Sequence, residues 1–345
     1  MPMRLPVAVA CAVAISCAPN LTAPVRVMAL LYDNGNRLGP RETQLETITS
    51  VTALKGTVIN MVGGGAIAID PNDPLQAQLT GKSDQQIFDA FVRARGSDVH
   101  ANLIDRSGVL WPGDFHSWAM VTTYWNFEQA FEYFTRAYDG ESVEMLGGAE
   151  VLYWGDYKDY TVADPALQGL TDNVFYFPPT RQFLVAPFKT FQKVPVSMNL
   201  GIVGHELSHR VFTQKAYGNQ VLPQEIGVWE GAPINIVRSL DEGLADFHGY
   251  GVTCIAPDGP GCTTKFILAS FDDKTADARD FANPDNGCLT VQLRTALSLP
   301  KGTFISQGQQ YKLGTIFAAA LYFASEPTGD REVVQKALID AYDDD

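Results

Sequence analysis

The chain has 345 residues, 46% of them apolar, enough for a large buried core in one two-part domain behind a short leader. A formal charge of −14 and the lack of any basic cluster argue against nucleic acid and anionic surfaces as partners. There is no internal repeat and no Gly-rich phosphate loop, which speaks against solenoid and nucleotide-binding architectures.

At the start, Arg4 precedes the apolar run 5–15, which is too short to span a bilayer and contains Pro6; residues 1–16 read as a secretory signal. Ala14-Ile15-Ser16-Cys17 is similar to the cleavage box of bacterial lipoproteins, with alanine where leucine is usual. Lipidation of Cys17 would hold the mature protein on a membrane. An ordinary signal cut near Ala18 also fits the small residues Ser16-Cys17-Ala18. Both readings place the protein outside the cytoplasm, as a cell-envelope lipoprotein or an extracellular protein.

Residues 17–45 are mixed and polar and are expected to form a tether. Residues 46–115 read as a β-rich region. Gly63-Gly64-Gly65 before the alternating Ala66-Ile67-Ala68-Ile69 is a turn-and-strand signal. Residues 83–95 carry Ile87, Phe88, Phe91 and Val92 at helical spacing, with Ser83 as the cap. Residues 99–111 read as a hairpin around Arg106-Ser107-Gly108. This region is either an N-terminal sheet or a reduced pro-segment. Residues 118–138 form a helix whose stripe of Val121, Tyr124, Trp125, Phe131 and Phe134 belongs to a core.

Residues 205–209 read His-Glu-Leu-Ser-His in an apolar stretch. On a helix, side chains four apart share a face, so His205 and His209 can grip one metal ion while Glu206 reaches its open position as a general base. A catalytic zinc site needs a third protein ligand. In residues 239–246, Ser-Leu-Asp-Glu-Gly-Leu-Ala-Asp, Glu242 can bind metal while Asp246, four residues on, accepts a ligand histidine's free N–H and steadies it. Ser239 and Glu242 also fit the capping box of a helix start. His248 lies about 240° round the helix from Glu242 and does not join it. His100 and His116 read as ordinary surface or core histidines. Cys254 and Cys262 flank a loop that a disulfide would close, leaving Cys288 over. The final Asp343-Asp344-Asp345 reads as a solvated end.

With HELSH followed by Glu242 and Asp246, the chain resembles the gluzincin metallopeptidases, more narrowly the thermolysin-like and fungalysin-like endopeptidases. Residues 150–154 and Asn173-Val174-Phe175-Tyr176 look like the two strands before that family's active-site helix, the second being the edge strand that pairs with substrate. Residues 118–138 look like its long aromatic helix, and Tyr311-Lys312-Leu313-Gly314 is similar to a C-terminal helix. The resemblance spans roughly residues 116–325 and implies an α+β fold: an N-terminal sheet, an active-site helix and a mainly helical C-terminal part, with residues 116–345 as the catalytic domain. It implies zinc on His205, His209 and Glu242, Glu206 as base, Asp246 behind a ligand and Asn173 as a substrate contact.

The chain also departs from the family. No histidine follows His248 to stabilise the tetrahedral intermediate, and Gln310 stands at the matching position beside Tyr311. Either could donate a hydrogen bond to the oxyanion; neither carries a positive charge. For a family tyrosine between the second histidine and the third ligand, Tyr217 is one choice. Gly201 occupies a position that is acidic in calcium-binding relatives, so zinc is expected without that calcium site. No Gly-x-Met-Glu-Asn motif is present to anchor a free amino terminus. The expectation is an exported zinc endopeptidase acting on protein or peptide. The rival is a surface lipoprotein that keeps the fold as a binding module.

Overall fold

The structure, a computed structural model, describes residues 24–33, 37–137, 148–189, 193–216, 232–256, 259, 261–297, 305–326 and 331–341. It is a mixed α+β chain, with sheets in the N-terminal half and helices in the C-terminal part. Cys17 and Tyr217 lie outside the described residues.

Three sheets form from the apolar-polar alternation of the N-terminal half. The first runs β2 (Leu38–Leu45), β1 (Val25–Tyr32), β10 (Val109–Pro112), β9 (Leu103–Arg106). The expected tether over residues 17–45 is therefore corrected: residues 25–45 are largely a β-hairpin. Val25, Val27, Ala29, Leu31 and Leu45 enter the main core, and the Leu30 N–H donates to Thr122 Oγ1 at 2.9 Å. The polar run that reads as a tether is an edge strand with a solvated face, which also explains how it tolerates Pro40. The hairpin expected at residues 106–108 is present, with Ser107 and Gly108 at φ 57° and 81°.

The second sheet orders β13 (Val174–Phe177), β14 (Gln182–Val185), β11 (Ala149–Tyr153), β5 (Ile59–Gly63), β4 (Lys55–Gly56) and β3 (Ile48–Ser50), with β8 (Ser97–Asp98) also on β5. β13 is its edge, as expected for the strand that starts after Asn173. The third sheet, β12 (Asp156–Asp159), β6 (Ala66–Ile69) and β7 (Val92–Ala94), carries the helix α1 (Asp84–Phe91) over a smaller core. Ser83 and Gln86 form the capping box of α1. The helix stops short of residue 95 because Val92 turns extended and pairs with Ile67.

Helix α2 (Phe115–Ala137) is buried on nearly every side, beyond the single apolar stripe visible in its sequence, since it lies between the first sheet and the helices Leu200–Ala216 and Ala232–Ile255. Asp114 starts it by accepting the Ser117 N–H at 2.8 Å. Helix α3 (Leu200–Ala216) packs on α4 (Ala232–Ile255), which packs in turn on α7 (Gln307–Ser325); α5 (Asp273–Ala278), α6 (Val291–Leu297) and α8 (Arg331–Asp340) surround them. Both contacts of α4 are backbone-close. A Cβ on Gly249 would lie 2.5 Å from the Gly201 carbonyl oxygen, and one on Gly243 would lie 2.3 Å from that of Gly314. Glycine alone permits this approach. Cys254, in the last turn of α4, forms a disulfide with Cys262, and Cys288 is free and exposed. Among the described residues no helix is long and apolar enough to cross a membrane.

Candidate metal centre

Helix α3 begins at Asn199, whose side-chain oxygen accepts the Gly201 N–H at 3.1 Å while its carbonyl accepts the Val203 N–H. The Asn199 amide donates to the Phe266 carbonyl at 2.9 Å and ties this start to the loop across the cleft. From there α3 is buried almost throughout, so its polar side chains need built partners. His205 and His209 sit one turn apart with Nε2 atoms 3.0 Å from each other. Glu242 Oε2, from α4, is 3.4 Å from the first and 3.8 Å from the second.

Behind each ring stands a carboxylate. His205 Nδ1 is 2.9 Å from Asp246 Oδ1, and His209 Nδ1 is 2.9 Å from Asp241 Oδ1. Each carboxylate can accept the Nδ1–H and so orients its ring with Nε2 toward Glu242. Burial alone would pull both imidazoles down, but Asp246 and Glu242 hold His205 above its ordinary value, and Asp241 drives His209 up to about 10. Burial likewise raises the Glu242 and Asp246 carboxyls; the histidines, and for Asp246 chiefly Arg279, outweigh it and keep both low.

The donor set fits a small divalent cation. Glu242 Oε2 is buried and has no hydrogen-bond partner, a costly state unless an ion takes the lone pair. A tetrahedral site with bonds of 2.0–2.1 Å has ligand atoms about 3.3 Å apart, and the three separations here, 3.0, 3.4 and 3.8 Å, bracket that length. Ser239 takes no part as a cap: it is buried inside α4 and donates to the Asn235 carbonyl at 2.7 Å.

Glu206 points to the same place from the side. Its Oε1 is 4.0 Å from His205 Nε2, and its Oε2 accepts the Tyr176 N–H of β13 at 2.9 Å. Burial pushes this carboxyl up. Around it opens a cavity of about 320 Å³. Ile202, Phe266, Ile267 and Phe271 line its apolar part, and Asn173, Arg279, Gln307 and Tyr311 its polar part.

Asn173 and Tyr311 both line this cavity. Gln310 does not line the cavity; Gln307 does, because it lies four residues before Tyr311 and shares its helix face. Gln307 Nε2 donates to Tyr311 Oη at 2.9 Å. His248 is buried elsewhere, 2.8 Å from Tyr133 Oη, and burial holds it neutral, pulled down to about 3. Asp241, Gln307 and Arg279 escape sequence reasoning. Arg279 binds the Asp246 carboxylate through Nε, at 3.3 Å, and through Nη2, and its guanidinium lies 4.1 Å over the Tyr311 ring. Asp241, beside Glu242, offered a signal through its neighbour. Arg279, in the loop after α5, offered none.

No family model matches the chain, and no curated protein matches it.

Proposed function

We propose that the chain is an exported zinc endopeptidase of the gluzincin type, with a thermolysin-like catalytic unit and a lipid anchor at Cys17. The observation that carries this reading is the convergence of His205 Nε2, His209 Nε2 and the otherwise unpartnered Glu242 Oε2 beside the Glu206 carboxylate. Zinc there would supply Lewis acidity and a water acidified toward a pKa of about 7. Glu206 acts as the base. With Oε2 committed to the Tyr176 N–H, Oε1 is left to take a proton during attack on the peptide carbonyl and to return it to the leaving amine.

The same contact sets Glu206 against the sheet edge. Asn173 and Phe175 bond toward β14, so the alternation turns the N–H and C=O of Val174 to the free side. An extended peptide adds there as one more strand, its backbone passing Glu206 and Asn173. Arg279, fixed by Asp246, offers positive charge to the peptide's oxygens, and Tyr311, whose oxygen receives the Gln307 N–H, keeps its own proton to donate. The apolar part of the cavity takes a large apolar side chain beside the scissile bond.

Export is supported by the leader and by the Cys254–Cys262 disulfide, a bond suited to oxidising compartments. An acyl mass on the N-terminal peptide at Cys17 tests the anchor. For the activity, the zinc-loaded chain is expected to cut unstructured protein, with cleavage stopped by a chelator. A zinc-loaded chain that cuts no member of a peptide library sinks the enzyme and leaves a surface binding module.

A further inference from the structure

Beside the strip of residues 186–189 that pairs with the start of β13, outside the metal centre, stands a row of aromatic side chains. Phe115 is 48% exposed and stacks on Phe188 with ring centroids 6.3 Å apart. It meets His116 edge-on at 5.4 Å, and His116, also exposed, meets Trp154 edge-on at 4.7 Å. His116 Nδ1 is held 3.0 Å from Tyr153 Oη. The metal centre uses none of these residues.

Backbone hydrogen bonds join the row to the cleft. The Ala186 N–H donates to the Asn173 carbonyl at 2.9 Å, the Asp172 N–H to the Pro187 carbonyl at 2.9 Å, and the Lys189 N–H to Asp172 Oδ1 at 2.8 Å. Asp172 and Asn173 line the cavity, and Phe188 lies on the strip bonded to them. Two non-glycine residues at this end hold positive φ, Trp154 at 60° and Asp172 at 54°. Glycine would relieve that cost, yet one of the two positions keeps a bulky indole edge-on to the exposed His116.

We infer that Phe115, His116, Trp154 and Phe188 form a second contact for the polypeptide that occupies the cleft, taking an aromatic or large aliphatic side chain. The inference rests on β13 as the substrate-pairing strand. Flat aromatic faces suit such a side chain, and continuity with the cleft makes the occupant the same chain.

The test reads binding without cleavage, using the zinc-loaded Glu206→Gln protein and two fluorescein-labelled peptides. One is a hexapeptide long enough for the cleft only; the other extends it past Asn173 with tryptophan or alanine. The tryptophan peptide is expected to bind more tightly than the alanine one. Phe115→Ala, at an exposed site, and Phe188→Ala should each weaken the tryptophan peptide about tenfold and leave the hexapeptide unchanged. Equal affinity for all peptides, equal losses for both lengths, or no binding of any overturns the inference. So does vesicle binding, to phosphatidylglycerol, that Phe115→Ala abolishes while peptide affinity stays. Tryptophan-peptide binding that depends on Phe115 and Phe188, in a protein whose native form cleaves nothing, would remove the endopeptidase reading and keep this contact.

Discussion

Two carboxylates, the buried Glu128 on α2 and the half-buried Glu242 on α4, show how this chain separates structure from chemistry. Glu128 Oε1 accepts the Thr47 N–H at 2.6 Å and its hydroxyl at 2.5 Å, and Oε2 accepts the Glu46 N–H at 3.3 Å. Every donor belongs to the turn between β2 and β3, so the carboxyl clamps that turn to α2 and has nothing left to offer a ligand. Glu242 has the opposite surroundings: two imidazole nitrogens face its Oε2 and no donor satisfies it. A satisfied buried carboxylate holds the fold, whereas an unsatisfied one beside two imidazoles is what a cation site would need.

That contrast can be broken at its strong end first. Glu242→Ala removes the third donor, and zinc content measured by native mass spectrometry should fall with activity to background; retained stoichiometric zinc would dismiss Glu242 as a ligand. Glu206→Gln comes next. It should keep the metal and lose between a hundredfold and ten-thousandfold in turnover, so equal losses of metal and rate would place Glu206 among the ligands instead. Asp241→Asn keeps the shape behind His209 but not the charge; a chelator competition should show metal affinity about ten- to a hundredfold weaker, and unchanged affinity would show that the Asp241 charge does not matter.

The smallest effect belongs to the clamp. Burial first, then the opposing hydrogen bonds, leave the Glu128 carboxyl at about 7 against an ordinary 4.5. The folded chain therefore holds a proton between those values that the unfolded chain releases. Stability falls as pH rises from about 4.5 through 7 and levels above, by at most about 3 kcal/mol. Glu128→Gln should flatten this fall, raising urea-unfolding stability at pH 8 more than at pH 5 in metal-free protein. A parallel shift at both pH values would deny the buried charge any part.

The candidate metal centre is legible because its residues are local in sequence: HELSH sets His205, Glu206 and His209 on one helix turn, and Glu242 and Asp246 repeat that spacing on a second. Helices, the hairpin at residues 106–108 and the α1 cap followed from periodicity and turn chemistry in the same way. Residues 25–45 did not, because an edge strand shows water a polar face and reads like a linker until its partner is known. Arg279 was invisible for a related reason. Its role comes from Asp246 and Tyr311, 33 residues before and 32 after it, and no periodicity links the three. Gln310 was chosen by counting back from Gly314, whereas helix phase selects Gln307.

The glycine contacts of α4 act as a gauge. Because Gly249 meets the backbone of α3 and Gly243 that of α7, the gap between helices is fixed by main-chain atoms that cannot repack. The distance from Glu242 to the two imidazoles inherits that rigidity. An ion with bonds near 2 Å would fit it, whereas calcium, with bonds of about 2.3–2.6 Å and a need for six or more oxygens, would be too large and too demanding. If the site binds zinc as proposed, its ion selectivity would rest on two missing methyl groups as much as on the ligands, and Gly249→Ala should change which metal is preferred.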